Sequence, residues 1–350
     1  MIRSKIAGVG MYVPPNVYTN NDLTRYMDTN DEWIQERTGI KERRYGDRLN
    51  ETTTTMAVKA STIAIERAGL TPQDIDFIVF ATLSPDYYFP GCGVLVQREM
   101  KMKEIGALDI RNQCSGFLYA ISVADQFIKS GMYKNILVIG SEKHSFGLDY
   151  STRGRNISVI FGDGSGAVVL QATEKEGQGI LSTHLHSDGE SAEILAMYNP
   201  GTHGNHWAKD KPVADFDEAE IGQAFMSHAM IDKGQNFPYM DGQAVFKKAV
   251  VKMPEVVMEA LNANDLTSTD IDMLIPHQAN LRISQMVQKL LRLPDEKVFN
   301  NIQRYGNTTA ASVPIALCEA WQEGKIKEGD LVCLTSFGSG FTWASALIRW

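Results

Sequence analysis

The chain has 350 residues, 43% of them hydrophobic and 22% charged, which is enough for a large core and for two domains or one fused double unit, and excludes a small stapled scaffold. Its formal net charge of −8 argues against broad nucleic-acid binding, while leaving room for a local basic patch that receives an acidic partner. Cys92, Cys114, Cys318 and Cys333 lack CxxC spacing, so neither a zinc site nor a disulfide framework is expected, and a reducing cytoplasm fits. The opening residues carry too short an apolar stretch for a signal peptide, and nowhere do about 18 apolar residues run together, so a soluble chain without membrane insertion is expected.

In chain order, apolar strand-like runs alternate with amphipathic helix-like stretches, the pattern of α/β layers. The spacing predicts helix over 54–70, strand over 77–83, helix over 117–130 and strand over 135–140. The second half repeats the scheme, with helix over 245–261, strand over 271–275, helices over 281–291 and 310–321, and strand over 331–336. Leu70-Thr71-Pro72-Gln73-Asp74-Ile75-Asp76 aligns with Leu266-Thr267-Ser268-Thr269-Asp270-Ile271-Asp272 at an offset of 196, 266 less 70. A match this short also suits the shared chemistry of a helix-to-strand connection; like elements on both sides favour duplication.

Three junctions carry reactive groups. Cys114, in Arg111-Asn112-Gln113-Cys114-Ser115-Gly116, follows a strand-like run and opens a helix-like one, where converging backbone N–H groups favour thiolate over thiol. Pro276-His277-Gln278-Ala279-Asn280 places an imidazole after an apolar strand, and Tyr305-Gly306-Asn307-Thr308-Thr309 an amide before a helix. A lone cysteine is far more often a small buried hydrophobe than a nucleophile. Three such residues at strand ends, where α/β proteins place reactive groups, point instead to acyl-thioester chemistry.

Other motifs read as structure. Gly162-Asp163-Gly164-Ser165-Gly166 lacks GxGxxG spacing and a following phosphate-binding lysine, so a turn is expected rather than a nucleotide site. His184, His186, His203 and His206 form HxH and HxxH pairs without further ligands or fixed helical spacing, so no metal is expected. Met226 and Met230 stand four apart, a spacing that suits core or dimer packing, with acyl-pocket lining as the alternative.

With these segments in view, the chain resembles the thiolase-fold condensing enzymes, and within them the β-ketoacyl-acyl-carrier-protein synthase III family. The resemblance covers nearly the whole chain. It rests on six motifs in order: Asp31-Glu32-Trp33-Ile34-Gln35-Glu36-Arg37-Thr38-Gly39-Ile40, the Cys114 segment, Phe161-Gly162-Asp163-Gly164-Ser165-Gly166-Ala167, 276–282, 306–314, and Phe337-Gly338-Ser339-Gly340-Phe341-Thr342-Trp343. It implies an α/β, thiolase-like fold of two βαβαβαβ halves in a five-layered αβαβα sandwich, usually a homodimer. Residues 1–173 would carry the nucleophile, and 174–350 the histidine and asparagine, with an extended segment at 188–239.

The resemblance also implies a ping-pong course with no permanently bound cofactor. Cys114 would take an acyl group from acyl-coenzyme A; malonyl on an acyl carrier protein would then decarboxylate and attack that thioester, in fatty-acid initiation or secondary-metabolite assembly. His277 and Asn307 would donate hydrogen bonds to the enolate, and the backbone N–H groups of Cys114 and Gly340 would form the oxyanion hole. Trp33 and Arg155 would flank the adenine of coenzyme A, with Arg153 a competing candidate, and Asn280 would serve the pantetheine arm. Lys247, Arg282 and Lys289 would form a basic landing patch for the carrier protein. Phe89 would shape the acyl pocket across the dimer.

Two features depart from the family pattern: Gln113 stands where a small residue is usual, and 188–239 is longer than the usual connection. A long irregular segment in a compact enzyme suggests a part in acyl-chain or acceptor selectivity. Relatives that join two acyl chains head to head bring a glutamate from the region that here reads Asp86-Tyr87-Tyr88-Phe89, which disfavours that reaction. A degradative thiolase would need a second cysteine in the C-terminal glycine motif, and Cys333 precedes that motif. A plant-type polyketide synthase, simple acyl transfer to an alcohol or amine, and a non-catalytic partner subunit are the other readings.

Overall fold

The computed structural model describes residues 2–202 and 225–350. Among shorter turns, its first half runs β1 (Arg3–Tyr12), α1 (Thr53–Arg67), β2 (Phe77–Ala81), α2 (Cys92–Glu99), β3 (Gly106–Ile110), α3 (Gly116–Lys129), β4 (Asn135–Glu142) and β5 (Gly164–Thr173). After the link 174–178 come β6 (Gly179–Ser187), α4 (Gly242–Asn262), β7 (Met273–Pro276), α5 (Leu281–Leu291), α6 (Ser312–Gln322), β8 (Leu331–Gly338) and β9 (Thr342–Arg349).

The first sheet has the order β3-β2-β4-β5-β1, and the second β7-β8-β9-β6, with Val298 bridged in parallel to Leu274 on the far side of β7. In both, the first pairings are parallel and the last two antiparallel. The halves are therefore copies, and the repeated heptapeptide does the same work in each. Thr71 with Asp74, and Thr267 with Asp270, form a capping box on a short turn. Asp76 then accepts from the Asn135 N–H at 3.0 Å and donates its own N–H to the Asn135 carbonyl. Asp272 treats Leu331 likewise, accepting at 2.8 Å. Each aspartate so pins the register of two parallel strands, β2 on β4 and β7 on β8.

Side-chain alternation along the strands builds five layers. On β4, Leu137 and Ile139 pack outward against Ala57, Ala60, Ala64 and Val96 of α1 and α2. Ile136 and Val138 face the middle layer, where Phe117, Leu118 and Ile121 of α3 meet Val313, Ala316 and Leu317 of α6. On β8, Val332 and Leu334 face the same layer, while Leu331 and Cys333 pack against Met253, Val257 and Leu261 of α4 and Val287 and Leu291 of α5. The order is α1/α2, sheet, α3/α6, sheet, α4/α5.

Element ends differ from expectation where local chemistry intervenes. The helix expected to reach residue 70 stops at Arg67, because Gly69 takes a left-handed conformation, φ 69°. The helix expected from 310 opens as a tight turn, Thr309–Ala311, before α6. The segment expected as a turn at 162–166 is a turn only to Asp163, since β5 starts at Gly164. Among the described residues no helix is long and apolar enough to cross a membrane.

Candidate active site

Cys114 sits on the tight turn Gln113–Ser115 between β3 and α3. Gln113 is left-handed, φ 44°, a conformation that costs a non-glycine residue roughly 1–2 kcal/mol and reverses the chain sharply from strand to helix. Gly338, the last residue of β8, faces the cysteine. A Cβ there would lie 2.7 Å from the Cys114 Cβ and 3.0 Å from its nitrogen, so only glycine admits the nucleophile.

Cys114 is 8% exposed. Burial pushes its thiol up to about 12; the nearby Glu142 carboxyl adds to this, and the backbone N–H groups of Cys114 and Ser339 pull the other way. Burial thus opposes the thiolate that the helix start was expected to favour. A helix N-terminus offers about 0.3–1 kcal/mol, less than the roughly 1.4 kcal/mol of one pKa unit, whereas full burial moves a group by up to about 3–5 units. Within the glycine motif, the amide of Ser339, one residue before Gly340, lies against the sulfur.

His277 follows β7, its N–H bonded to the Thr335 carbonyl at 2.8 Å. Its Nδ1 lies 2.6 Å from Ser312 Oγ, which also accepts from the Gln278 N–H at 3.4 Å. In the tautomer in which Ser312 donates to Nδ1, the single ring proton is on Nε2. That atom is buried without a hydrogen-bond partner, and burial pushes the ring down to about 3, so the imidazole is neutral. Asn307 follows Gly306, φ 65°, and donates its N–H to the Ile160 carbonyl at 2.9 Å. Its Oδ1 accepts from the Thr309 N–H at 2.8 Å, which leaves the Nδ2 hydrogens for an occupant of the site.

Cys114, His277 and Asn307 line one cavity of about 630 Å³, together with Trp33, Arg37, Asn280 and Arg282. Trp33 is placed by the helix Asp31–Thr38, whose cap residue Asn30 accepts from the Trp33 N–H at 2.8 Å. The Arg155 guanidinium carbon lies 5.1 Å from the Trp33 ring centre, and that of Arg37 4.6 Å. Arg153 is held by Asp149 at 2.6 Å and lies over Phe237, so of the two candidates it is Arg155 that reaches Trp33. Arg37 was not foreseen; its place one turn beyond Trp33 was the available signal. Asn280 caps α5, accepting from the Arg282 N–H at 2.9 Å, and donates to the Arg37 carbonyl at 2.8 Å. Phe161, Met240, Phe246, Met253 and Phe337 give the wall its apolar character.

Other expected residues lie outside this cavity. Lys247 is exposed on α4, and Lys289 and Arg282 are exposed on α5. Phe89 is 80% exposed next to exposed Tyr87 and Tyr88. Asp86 accepts from Thr52 Oγ1 at 2.8 Å and from the Thr54 N–H at 3.2 Å, so its carboxylate secures the start of α1. Met230 is buried, and neither it nor Met226 lines the cavity. His184 and His186 meet Glu259 of α4, at 3.2 and 2.6 Å; His203 and His206 lie outside the described residues. At the two ends of the segment 188–239, Leu195–Ala196 pairs with Tyr239–Met240. Ser339 Oγ donates to the Leu195 carbonyl, tying that pairing to the glycine motif.

Known proteins resemble the chain over its whole length. Residues 108–189 match the family described as 3-oxoacyl-[acyl-carrier-protein (ACP)] synthase III, and residues 261–350 match its C-terminal part. The chain is 43% identical over 349 residues to beta-ketoacyl-[acyl-carrier-protein] synthase III of Caldanaerobacter subterraneus subsp. tengcongensis, spanning 100% of this chain and 98% of the relative. The crystal structure of 3-oxoacyl-[acyl-carrier-protein] synthase III from Aquifex aeolicus VF5 superposes with TM-score 0.86 at 43% identity, covering 99% of this chain and 100% of that one. The priming β-ketosynthase of the R1128 polyketide biosynthetic pathway gives TM-score 0.84 at 31% identity, covering 99% and 96%. Full-length identity at this level, joined to a cysteine, a histidine and an asparagine in one cavity wall, makes the chain a member of the β-ketoacyl-acyl-carrier-protein synthase III family.

Proposed function

We infer that the chain is an acyltransferase that catalyses decarboxylative Claisen condensation of an acyl group from coenzyme A with malonyl-acyl carrier protein, the initiating step of fatty-acid synthesis. The observation that carries this reading is that Cys114 of the first half and His277 and Asn307 of the second line the same cavity as Trp33. Acyl-coenzyme A is a substrate here, and the chemistry needs no resident cofactor.

In the first half-reaction the Cys114 sulfur attacks the acyl carbonyl, the Sγ–C bond forms and the bond to the coenzyme A sulfur breaks. The thiol proton ends on the departing coenzyme A. The N–H groups of Cys114 and Ser339 hold the oxyanion. In the second, the malonyl group loses carbon dioxide and the enolate oxygen receives hydrogen bonds from His277 Nε2 and Asn307 Nδ2, each donor contributing about 3–4 kcal/mol. The enolate carbon attacks the acyl-enzyme, and Cys114 leaves. Trp33 and Arg155, with Arg37, hold the adenine by ring and guanidinium faces, and Asn280 guides the pantetheine arm.

Lys247, Arg282 and Lys289 receive the acidic carrier protein. Exposed Tyr87, Tyr88 and Phe89, together with exposed Leu108 on the edge strand β3, support a homodimer in which Phe89 bounds the partner's acyl pocket. Division of labour between halves 1–173 and 174–350, a cytoplasmic setting, and selectivity set by the segment 188–239 belong to the same reading. Asp86, already spent on Thr52 and Thr54, supports condensation on a malonyl unit over head-to-head joining.

Intact-protein mass spectrometry after exposure to acyl-coenzyme A thioesters, short to long and aromatic, tests the reading. A mass gain in wild type that Cys114→Ala lacks, followed by β-ketoacyl product on adding malonyl-carrier protein, is expected. An enzyme that no donor acylates would overturn it.

A further inference from the structure

Glu142 ends β4, is wholly buried and takes no part in the chemistry above. Its carboxylate accepts from the N–H groups of Leu83 at 3.0 Å and Ser84 at 3.0 Å, and from the hydroxyls of Ser84 at 2.6 Å and Thr82 at 3.2 Å. It also accepts from the Ala310 N–H, at 3.4 Å, in the other half of the molecule.

The repeat gives that contact its meaning. At the offset of 196, Gln113 corresponds to Thr309, Cys114 to Ala310, and Glu142 to Gly338. Thr309 is left-handed like Gln113, φ 50° against 44°. Each half therefore carries the same tight turn facing the same strand end of its twin, with contents exchanged. On one side Gly338 clears space for a reactive sulfur; on the other Ala310 clears space for a carboxylate, which fills the turn's amide site from within. Asn307 is next in this chain of contacts, since its Oδ1 is held by the Thr309 N–H at 2.8 Å.

We propose that Glu142 is a positioning residue that works through its charge, fastening the Thr309–Ala311 turn, and with it Asn307, from behind the site and setting a negative charge towards Cys114. The proposal rests on the reading of Cys114 as the nucleophile. The groups that face Glu142 are Cys114 from the Gln113–Ser115 turn, His144 from the turn after β4, the hydroxyls of Thr82 and Ser84 after β2, and the Ala310 amide before α6. His144 Nε2 lies 4.0 Å away and is bonded to Thr309 Oγ1 at 2.6 Å; burial pushes that ring down to about 3, so it offers no countercharge. Burial pushes Glu142 itself up to about 7, so it gains and loses its proton in the working range.

The test is the rate of Cys114 alkylation by iodoacetamide, followed by intact mass from pH 6 to 9.5, with Cys114→Ala as blank. Glu142→Gln removes the charge at constant shape, and is expected to alkylate on the order of tenfold faster at pH 8, the effect of one pKa unit on a thiol. Its malonyl-carrier-protein decarboxylation should fall by about tenfold as Asn307 shifts. Glu142→Asp keeps the charge and is expected to restore the wild-type alkylation profile. A Gln variant with the wild-type profile, or an Asp variant that behaves as Gln does, overturns the proposal. Should the Gln variant fail to fold in thermal unfolding, the wild-type profile decides. A bend near pH 7, as Glu142 ionises, sustains the proposal; a straight line of unit slope overturns it. Alkylation reads Cys114 whether or not any thioester acylates it, so failure of the acyl-donor panel and failure of this proposal are distinguishable.

Discussion

At the scale of single residues, the site is built from neutral groups held in place rather than from standing charges. With the Cys114 thiol raised to about 12 by burial, thiolate is scarce at neutrality and grows with each step in pH. Alkylation and self-acylation rates should therefore still be climbing at pH 9; a plateau below pH 8 would contradict the buried-thiol account. His277→Ala and Asn307→Ala should separate the half-reactions, because both donors serve an enolate that exists only in the second. Acylation by acyl-coenzyme A should persist within about threefold, while malonyl decarboxylation falls on the order of 10²–10³-fold, read by single-turnover acylation and carbon dioxide release. Cys114, His277 and Asn307 were legible in the sequence because their chemistry is rare and each stands at a junction. Ser339 was not, since its contribution is a backbone N–H that any residue but proline supplies. Arg37 was hidden by being an ordinary arginine on a helix, and Glu142 because nothing local in Ser141-Glu142-Lys143 reveals complete burial.

At the scale of elements, every long helix and strand expected from periodicity is present, and the differences fall at ends and tight turns. Two left-handed residues, Gln113 and Thr309, account for what periodicity cannot carry: one residue of unusual backbone leaves no trace in an apolar pattern. The pair also behaves asymmetrically. Gln113→Gly should raise stability by about 0.5–1 kcal/mol, since the relief of roughly 1–2 kcal/mol of left-handed cost exceeds the extra chain entropy of glycine. Thr309→Gly should give no such gain, because it also deletes the 2.6 Å bond to buried His144. Thermal unfolding of the two variants side by side checks this; equal shifts would mean that backbone strain alone governs both turns.

At the scale of the whole molecule, the duplication was readable from seven residues because Asp76 and Asp272 each fix a strand register that the fold needs twice. The partnership of the halves was not readable, since the middle layer of α3 and α6 joins residues almost 200 positions apart. The covalent tie between the halves is slight by contrast. The link 174–178, exposed over 174–177, is braced by an ion pair between Lys175 and Glu328, both largely in water, and such solvent-screened pairs contribute little. The middle layer, where each fully buried leucine, isoleucine or phenylalanine is worth roughly 1.5–3 kcal/mol, outweighs it many times over. A gene split after Gly177 should then yield two polypeptides that are insoluble apart yet co-purify when expressed together, with a reassembled cavity that again acylates on Cys114. Fragments that never associate would show that the peptide bond steers folding. Their reunion would mean that the enzyme is, in physical terms, a heterodimer whose subunits happen to be translated in one piece.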